Sequence, residues 1–219
     1  TPAEPHEVQE IAWTATGTTL LGGPVRFGVG ERNEGASEME RDNLDYDFVA
    51  KGDVEAAAFD LITHDLAGFS DRLRSNEEIN DWAARGAFIV EQHPNHPSYL
   101  ICELETSRGC PYRCSFCTEP LYGKDPSFRD PDSIQKEVQA LHDHSIRNFR
   151  LGRQADILAY GGDGEAPNPS ALRELYTGIH EAAPDLDTLH LDNMNPITIV
   201  RWPEQSRECI RTIAEYNTP

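Results

Sequence analysis

Three of the five cysteines lie close together on the chain, at Cys110, Cys114 and Cys117. Their spacing of three and then two residues is too tight for an ordinary disulfide framework, and the odd total favours metal binding in a reducing compartment. Thiolates grouped on one loop are typical ligands of iron-sulfur clusters. Three protein ligands leave one iron of a four-iron cluster open to a small molecule. The triplet therefore predicts a metal centre that can also hold a chelating ligand.

Zinc is the alternative metal for this triplet. A structural zinc site takes four ligands in tetrahedral geometry, and no second CxxC or HxxxH pair lies nearby in the sequence. Cys102 or His93 could be recruited as a fourth ligand. A non-catalytic zinc or iron-sulfur module used for structure or electron transfer is thus the competing interpretation.

The elements around the triplet alternate between strand and helix. Residues 99–105 are typical of a strand that leads into the cysteine loop, and Asp130 followed by Pro131 is typical of a helix start, with that helix ending near His144. The alternation then continues with a strand over 147–151, a helix over 170–183, a strand over 186–191 and a helix over 204–216. This order predicts the beginning of a parallel (βα) barrel.

The residues before the triplet predict a separate α/β region. A buried strand is expected over 11–21, ending at the Gly22-Gly23-Pro24 turn, and a second over 46–50. Asp53 is expected to cap the helix that follows. A further helix should begin at Ser75 and end at Gly86, and a strand is expected over 87–91.

We therefore expect an α/β protein with domains at 1–86 and 99–219, joined by a connecting segment at 87–98. Residues 99–219 have room for three βα units, whereas a closed barrel takes more. We therefore expect the chain to contain the end of one domain followed by the first half of a second domain. An unfinished barrel leaves a strand edge open, which predicts self-association or cover by a neighbour.

The charge composition limits the classes of binding partner that we expect. Asp and Glu total 38 against 19 Lys and Arg, a formal net charge of -19. Such a surface repels phosphate backbones, so nucleic acid is not an expected partner. It also resembles proteins of salt-loving archaea. There is neither a leader nor an apolar run long enough to span a membrane, which predicts a cytoplasmic protein without membrane contact.

The triplet, with Phe116 directly before its last cysteine and Arg108-Gly109 ahead of it, closely resembles the signature of the radical S-adenosylmethionine superfamily. The closest resemblance is to archaeal members, haloarchaeal in composition, that carry a cobalamin-binding-type, Rossmann-like amino-terminal domain and a carboxyl-terminal helix-hairpin-helix. Residues 20–24 and 45–53 resemble that amino-terminal domain. Its cobalt-ligating histidine would precede this sequence, so cobalamin is neither supported nor excluded.

The resemblance implies roles for particular residues. Cys110, Cys114 and Cys117 would ligate a 4Fe-4S cluster, and Phe116 would pack beside the adenine of S-adenosylmethionine. The cluster would cleave this cofactor reductively to methionine and a 5'-deoxyadenosyl radical, using electrons from a donor such as ferredoxin or flavodoxin. The resemblance identifies neither substrate nor catalytic residue.

In the family, the second barrel strand usually ends in a Gly-Gly-Glu-like segment that contacts the amino group of S-adenosylmethionine. This chain has Gly152 and Gln154 there, and the Gln154 amide oxygen can accept a hydrogen bond but carries no charge. A cobalamin-dependent radical methyltransferase is one alternative function. A tRNA methylthiotransferase is another, disfavoured because the amino-terminal region lacks further cysteines for a second cluster.

Other polar residues have simpler interpretations. Asp192 and Asn193 follow the third predicted barrel strand, where either substrate contact or a cap is expected. His93 and His96 are expected to be loop residues. Cys102 and Cys209 are expected to be small buried apolar side chains.

Overall fold

The computed structural model describes residues 5–23, 45–50, 52–110, 112, 125–152, 154–162 and 166–218. These residues form a mixed α/β protein with parallel sheets, as the sequence predicts. They divide into two compact units, one before and one after the boundary between Ser75 and Asn76. No helix in these ranges has both the length and the apolar character to cross a membrane.

The first unit begins with helix α1 (Pro5–Thr14), where a strand was expected from Ile11 onward. Strand β1 is confined to Leu20–Leu21 and pairs in parallel with β2 (Phe48–Val49). The expectation over residues 11–21 is therefore wrong for its first part. Three side-chain hydrogen bonds hold α1 to the residues before β2. The Trp13 indole and the Gln9 amide donate to Asp45 over 2.7 and 3.2 Å, and the Tyr46 hydroxyl donates to the Val8 carbonyl over 2.8 Å.

Helix α2 (Val54–His64) follows β2, which confirms the predicted βα order. Asp53 precedes the helix but makes no side-chain cap to it. Its carboxylate instead accepts a 2.8 Å hydrogen bond from the Arg74 backbone N–H. Asp53 therefore occupies the N-cap position, as the sequence predicts, while its buried side chain bonds to the returning chain at Arg74 and not to the helix.

The second unit contains a three-stranded parallel sheet in the order β3-β6-β7, formed by β3 (Ile101–Glu105), β6 (Asn148–Gly152) and β7 (Thr188–Leu191). A short antiparallel pair, β4 (Ser107–Arg108) with β5 (Ser127–Phe128), follows β3. The helices of this unit are α3 (Asn76–Arg85), α4 (Pro131–Asp143), α5 (Pro169–Ala182), α6 (Pro196–Arg201) and α7 (Pro203–Tyr216).

Local signals place α4 and α5 correctly. The Asp130 side chain accepts from the Ser133 N–H over 2.8 Å, and Asn168 accepts from the Ala171 N–H over 3.2 Å, each directly before a proline that begins the helix. Such caps satisfy donors that have no partner within the helix. The apolar stripes of α4, α5 and α7 pack with one face of the sheet. The fully buried side chains that these helices and the sheet contribute to the core include Leu104, Ile134, Phe149, Leu151, Leu172, Leu175, Tyr176, Ile179 and Leu189.

Two parts of this unit differ from expectation. The strand expected over 87–91 is wrong, because Ala87–Gln92 is a 3-10 helix. With three residues per turn, Ala87 and Val90 share the buried side while Phe88 and Ile89 are exposed. Helix α6 was also missed, although Asn195 followed by Pro196 is a helix-start signal; the Asn195 side chain accepts from the Ile197 N–H over 3.0 Å.

Shortening one core side chain tests the packing of this unit. Ile179 is fully buried, so Ile179→Ala should lower the free energy of unfolding by about 2–5 kcal/mol. Ile89→Ala removes the same atoms from a side that is 62% exposed and should change stability by about 0.5 kcal/mol or less. Denaturant unfolding measures both variants, and equal losses would contradict the assignment of the core.

Candidate functional site

The candidate site lies at the carboxyl edge of the β3-β6-β7 sheet. Because the three strands are parallel, the residues that follow them meet at this one edge. Cys110 comes after β3 and β4, Gln154 comes after β6, and Asp192 with Asn193 comes after β7. The structure therefore brings segments separated by more than eighty residues to the same end of the sheet, where parallel barrels carry their sites.

Of the three clustered cysteines, the structure describes Cys110. Its side chain is buried, with 6% relative exposure, and it follows Gly109, whose φ of +83° lies in the left-handed region that favours glycine. Cys114, Cys117 and Phe116 lie outside the described residues, so their predicted roles stay predictions. Within the described ranges, no group of three His, Cys, Asp or Glu side chains is arranged to hold a metal ion.

The two ends of the cysteine loop are tied together. Ser107 of β4 pairs with Phe128 of β5, and the Arg129 backbone N–H donates to the Thr106 carbonyl over 3.0 Å. The Arg129 carbonyl in turn accepts from the Tyr160 hydroxyl over 2.7 Å. The residues before Cys110 and those after the loop therefore form one short antiparallel ribbon that leaves the end of β3.

Arg129 adds a buried ion pair beneath this ribbon. Its Nη1 donates to the Glu105 carbonyl over 2.9 Å and to a Glu137 carboxylate oxygen over 2.7 Å, and its Nε donates to Asn80 over 2.7 Å. Burial raises the pKa of Glu137, and the Arg129 guanidinium opposes that rise. Sequence reasoning missed this cluster, because its members are distributed over α3, β3 and α4 and share no local pattern.

Gln154 is almost fully buried, at 2% exposure. Its amide nitrogen donates to the Leu151 carbonyl over 2.9 Å, and its own backbone carbonyl accepts from the Asn193 amide over 3.2 Å. The amide oxygen Oε1 has no partner among the described residues. A buried acceptor without a donor is unfavourable by itself, so a hydrogen bond from a water molecule or a ligand would stabilise this arrangement.

Gly152 ends β6, two residues before Gln154. A Cβ atom at this position would lie 2.4 Å from both Cγ and Cδ of Glu103 and 2.6 Å from its Oε1. The absence of a side chain at Gly152 therefore allows the Glu103 carboxyl group to lie across the end of β6.

Asp156 joins the loops that follow β6 and β7. One carboxylate oxygen accepts from the Leu158 and Asn195 N–H groups over 3.1 and 3.0 Å, and the other accepts from the Thr198 hydroxyl over 2.6 Å. Asp156 is 7% exposed and all these bonds are internal, so its role is to fix the two loops. No local sequence pattern indicates this contact, beyond the proximity of Asp156 to Gln154.

The two candidates after β7 have different partners. Asp192 forms an ion pair with Arg150 of β6. Asn193 donates to the Gln154 carbonyl, and its own carbonyl accepts from the Ile157 N–H over 3.1 Å. Neither residue caps a helix, since Asn195 caps α6.

The histidines expected in loops have structural partners. His96 Nε2 donates to the His144 carbonyl over 2.7 Å, and His93 Nδ1 accepts from the Asn95 N–H over 3.2 Å. Cys209 is fully buried, as predicted, whereas Cys102 is only partly buried against the core. Burial raises the pKa of each thiol to about 11. Within the described residues, neither His93 nor Cys102 forms the cluster that the zinc alternative needs.

The described residues fit the implied cofactors. A buried thiol, a glycine that leaves room for the Glu103 carboxyl group and a buried amide oxygen without a donor occupy the same edge of a parallel sheet. A thiolate suits iron, and the free amide oxygen suits an ammonium donor. The ribbon and the Asp156 contact hold the Cys110 and Gln154 segments on rigid supports.

Two archaeal proteins resemble the chain over long stretches. An uncharacterised protein of Methanocaldococcus jannaschii is 37% identical over 231 aligned positions, which cover 99% of this chain and 42% of that protein. An uncharacterised protein of Archaeoglobus fulgidus is 47% identical over 145 positions, covering 64% of this chain and 27% of that protein. The chain thus spans less than half the length of these relatives. No protein-family model matches it.

Shorter similarities involve enzymes. The chain is 40% identical over 50 residues to a hopanoid C-2 methylase of Rhodopseudomonas palustris, covering 22% of the chain and 10% of that enzyme. It is 31% identical over 80 residues to a tRNA-2-methylthio-N(6)-dimethylallyladenosine synthase of Hydrogenobaculum, covering 36% and 18%. These distant similarities support a relationship to the radical S-adenosylmethionine superfamily.

Breaking the buried ion pair tests the support of the cysteine loop. Glu137→Ala leaves the Arg129 charge buried without its carboxylate and should reduce stability by about 3–5 kcal/mol. Glu204→Ala removes one partner of the exposed Arg207–Glu204 pair and should cost about 1 kcal/mol or less. Chemical denaturation compares the two, and similar small losses would contradict a supporting role for Arg129.

The raised pKa values predict slow alkylation of the two isolated cysteines. At pH 8, Cys102 and Cys209 should react with iodoacetamide roughly 100-fold more slowly in the folded protein than in the denatured chain, because less thiolate is present. Labelling should continue to accelerate as pH rises towards about 11. Peptide mass spectrometry measures each site. A rate that levels off near pH 9 would show ordinary thiols.

Proposed function

We propose that the chain is part of a radical S-adenosylmethionine enzyme in which Cys110, Cys114 and Cys117 hold three irons of a 4Fe-4S cluster. The observation that carries the proposal is the buried, unpartnered Gln154 oxygen at the sheet edge to which the Cys110 segment also leads. When bound, the cluster supplies the electron that cleaves S-adenosylmethionine into methionine and a 5'-deoxyadenosyl radical. The protein contributes placement and exclusion of water.

The chain's own residues have distinct tasks in this proposal. The Gln154 amide oxygen accepts a hydrogen bond from the ammonium group of S-adenosylmethionine, and Gly152, which has no side chain, leaves room at the strand end for the Glu103 carboxyl group. Phe116 packs beside the adenine. Asn193 and Asp156 act on the ligand indirectly, because they position the Gln154 loop. The reacting substrate is bound by parts of the full-length protein beyond these residues.

The domain identities belong to the same proposal. The unit that ends at Ser75 forms the carboxyl-terminal part of the Rossmann-like, cobalamin-binding-type domain expected over 1–86, and residues 99–219 of the second unit form the first half of a partial TIM barrel. The parallel β1-β2 pair followed by α2, and the parallel β3-β6-β7 sheet with its helices, support these assignments. The full-length protein acts in an archaeal cytoplasm, and its acidic surface is an adaptation to salt. Ferredoxin or flavodoxin supplies the electron.

Methyl transfer is the second candidate reaction. The observation in its favour is the similarity to a hopanoid C-2 methylase and to a bacteriochlorophyllide d C-12(1)-methyltransferase, 34% identical over 88 residues. In this version cobalamin is held by the amino-terminal domain of the full-length protein. Stoichiometric cobalamin binding would favour methyl transfer, whereas its absence would favour direct hydrogen abstraction.

Iron uptake by cysteine variants tests the cluster assignment. After anaerobic reconstitution with iron and sulfide, the full-length protein should hold about four irons per chain. Alanine at Cys110, Cys114 or Cys117 should remove most of that iron. Cys102→Ala and Cys209→Ala serve as matched controls and should retain it, because both thiols belong to the packed core.

The reduced protein should also give a four-iron EPR signal that changes when S-adenosylmethionine is added. Zinc without iron uptake would favour the structural-module interpretation. An EPR signal that does not change when S-adenosylmethionine is added would favour a pure electron-transfer role. Either result would overturn the proposed function.

A further inference from the structure

We infer that Glu103 supplies the negative charge that binds the ammonium group of S-adenosylmethionine, beside the neutral oxygen of Gln154. This inference rests on the proposed function and deepens it. A Gly-Gly-Glu-like segment would carry its carboxylate at the end of β6, whereas this chain has Gln154 there. Glu103 lies on the neighbouring strand β3, and its side chain places a carboxylate at the end of β6.

The register of the sheet places Glu103 on the correct face. Glu103 of β3 pairs with Arg150 of β6, and Glu105 pairs with Gly152. Side chains alternate between faces along a strand, so all four positions project from the same side of the sheet. The opposite side carries Leu104 and the other core residues. Glu103 therefore projects from the polar face.

The Glu103 side chain extends along this face towards the carboxyl edge. Its Cγ, Cδ and Oε1 atoms occupy the space that a side chain at Gly152 would fill, at 2.4, 2.4 and 2.6 Å from an ideal Cβ. Any residue with a Cβ at position 152 would displace the carboxyl group. Gly152 thus has a specific steric role, which is to admit a carboxylate over the last residue of β6.

The charges on this face leave Glu103 available. Glu105 forms an ion pair with Arg108, and Asp192 forms one with Arg150. The Glu103 side chain makes no hydrogen bond or salt bridge with the residues that the structure describes, and it is exposed. Arg150 lies beside Glu103 in register and attracts its carboxylate, but the guanidinium is hydrogen-bonded to Asp192. Among these three carboxylates, Glu103 is thus the one without a hydrogen-bonded arginine in the part of the chain that the structure describes.

An ammonium group matches these two acceptors. It presents three N–H donors and one positive charge. The buried Gln154 oxygen provides a neutral acceptor whose orientation is fixed by the bond from its amide nitrogen to Leu151. Glu103 provides the charge, and charge-assisted hydrogen bonds are roughly twice as strong as neutral ones. Together, Gln154 and Glu103 provide the hydrogen-bond acceptor and the negative charge that a single glutamate would provide.

Binding of S-adenosylmethionine to charge-changing variants tests this assignment. Equilibrium dialysis under anaerobic conditions gives the dissociation constant for the reconstituted full-length protein. Glu103→Gln keeps the side-chain shape and removes the charge, so affinity should fall about tenfold or more. Glu208→Gln, at an exposed position on α7, is the matched control and should bind as tightly as the unaltered protein. Adding Gln154→Glu to Glu103→Gln should restore most of the affinity.

A deaminated analogue, in which a 2-oxo group replaces the amine, identifies the ligand atom. The unaltered protein should strongly prefer S-adenosylmethionine over this analogue, and Glu103→Gln should lose most of that preference. Equal affinities in Glu103→Gln and the unaltered protein would overturn the inference and leave the proposed function standing, with Glu103 a solvated surface charge. Iron loss in Glu103→Gln would overturn it too. Failure of the unaltered, cluster-loaded protein to bind S-adenosylmethionine would instead refute the proposed function.

Discussion

The connection between the two ends of the cysteine loop is the constraint on which the candidate site depends. Arg129 makes it with both its backbone and its side chain, bonding to Thr106, to the Glu105 carbonyl and to Glu137. Because this guanidinium is buried, the contacts act in a medium of low dielectric and resist exchange with water. The residues on either side of the cysteine loop are therefore held to β3 and α4.

The two faces of the β3-β6-β7 sheet in the second unit have different roles. The face with Leu104, Phe149 and Leu151 builds the core with the helices, which supplies stability. The face with Glu103 and Arg150 is polar, and it leads to an edge where Gly152 leaves room for the Glu103 carboxyl group and Gln154 has an acceptor without a donor. Rigidity on one side and unsatisfied polar groups on the other are what a preorganised ligand site requires.

Local signals explain which elements the sequence predicts. The helices beginning after Asp130 and Asn168, and the strands of the β3-β6-β7 sheet, follow from caps, prolines and apolar period. Residues 11–14 and 87–91 were misjudged because short apolar runs do not separate strand from helix, and contacts with Asp45 or the core decide between them. Asn195 followed by Pro196 is a local helix-start signal, and α6 begins there.

The site itself was predictable only where its chemistry is local. The cysteine spacing and the Gly152–Gln154 segment stand in the sequence, but the buried Arg129–Glu137 pair and the reach of Glu103 over Gly152 depend on strand register and tertiary packing. No sequence period brings such residues together.

The most direct measurement of the central claim is the formation of 5'-deoxyadenosine from S-adenosylmethionine by the reduced, reconstituted full-length protein, followed by mass spectrometry. The account predicts that this product accumulates with a chemical reductant, and that it disappears when Cys114 is replaced by alanine. A protein that holds a complete cluster and binds S-adenosylmethionine, yet forms no 5'-deoxyadenosine, would contradict the account.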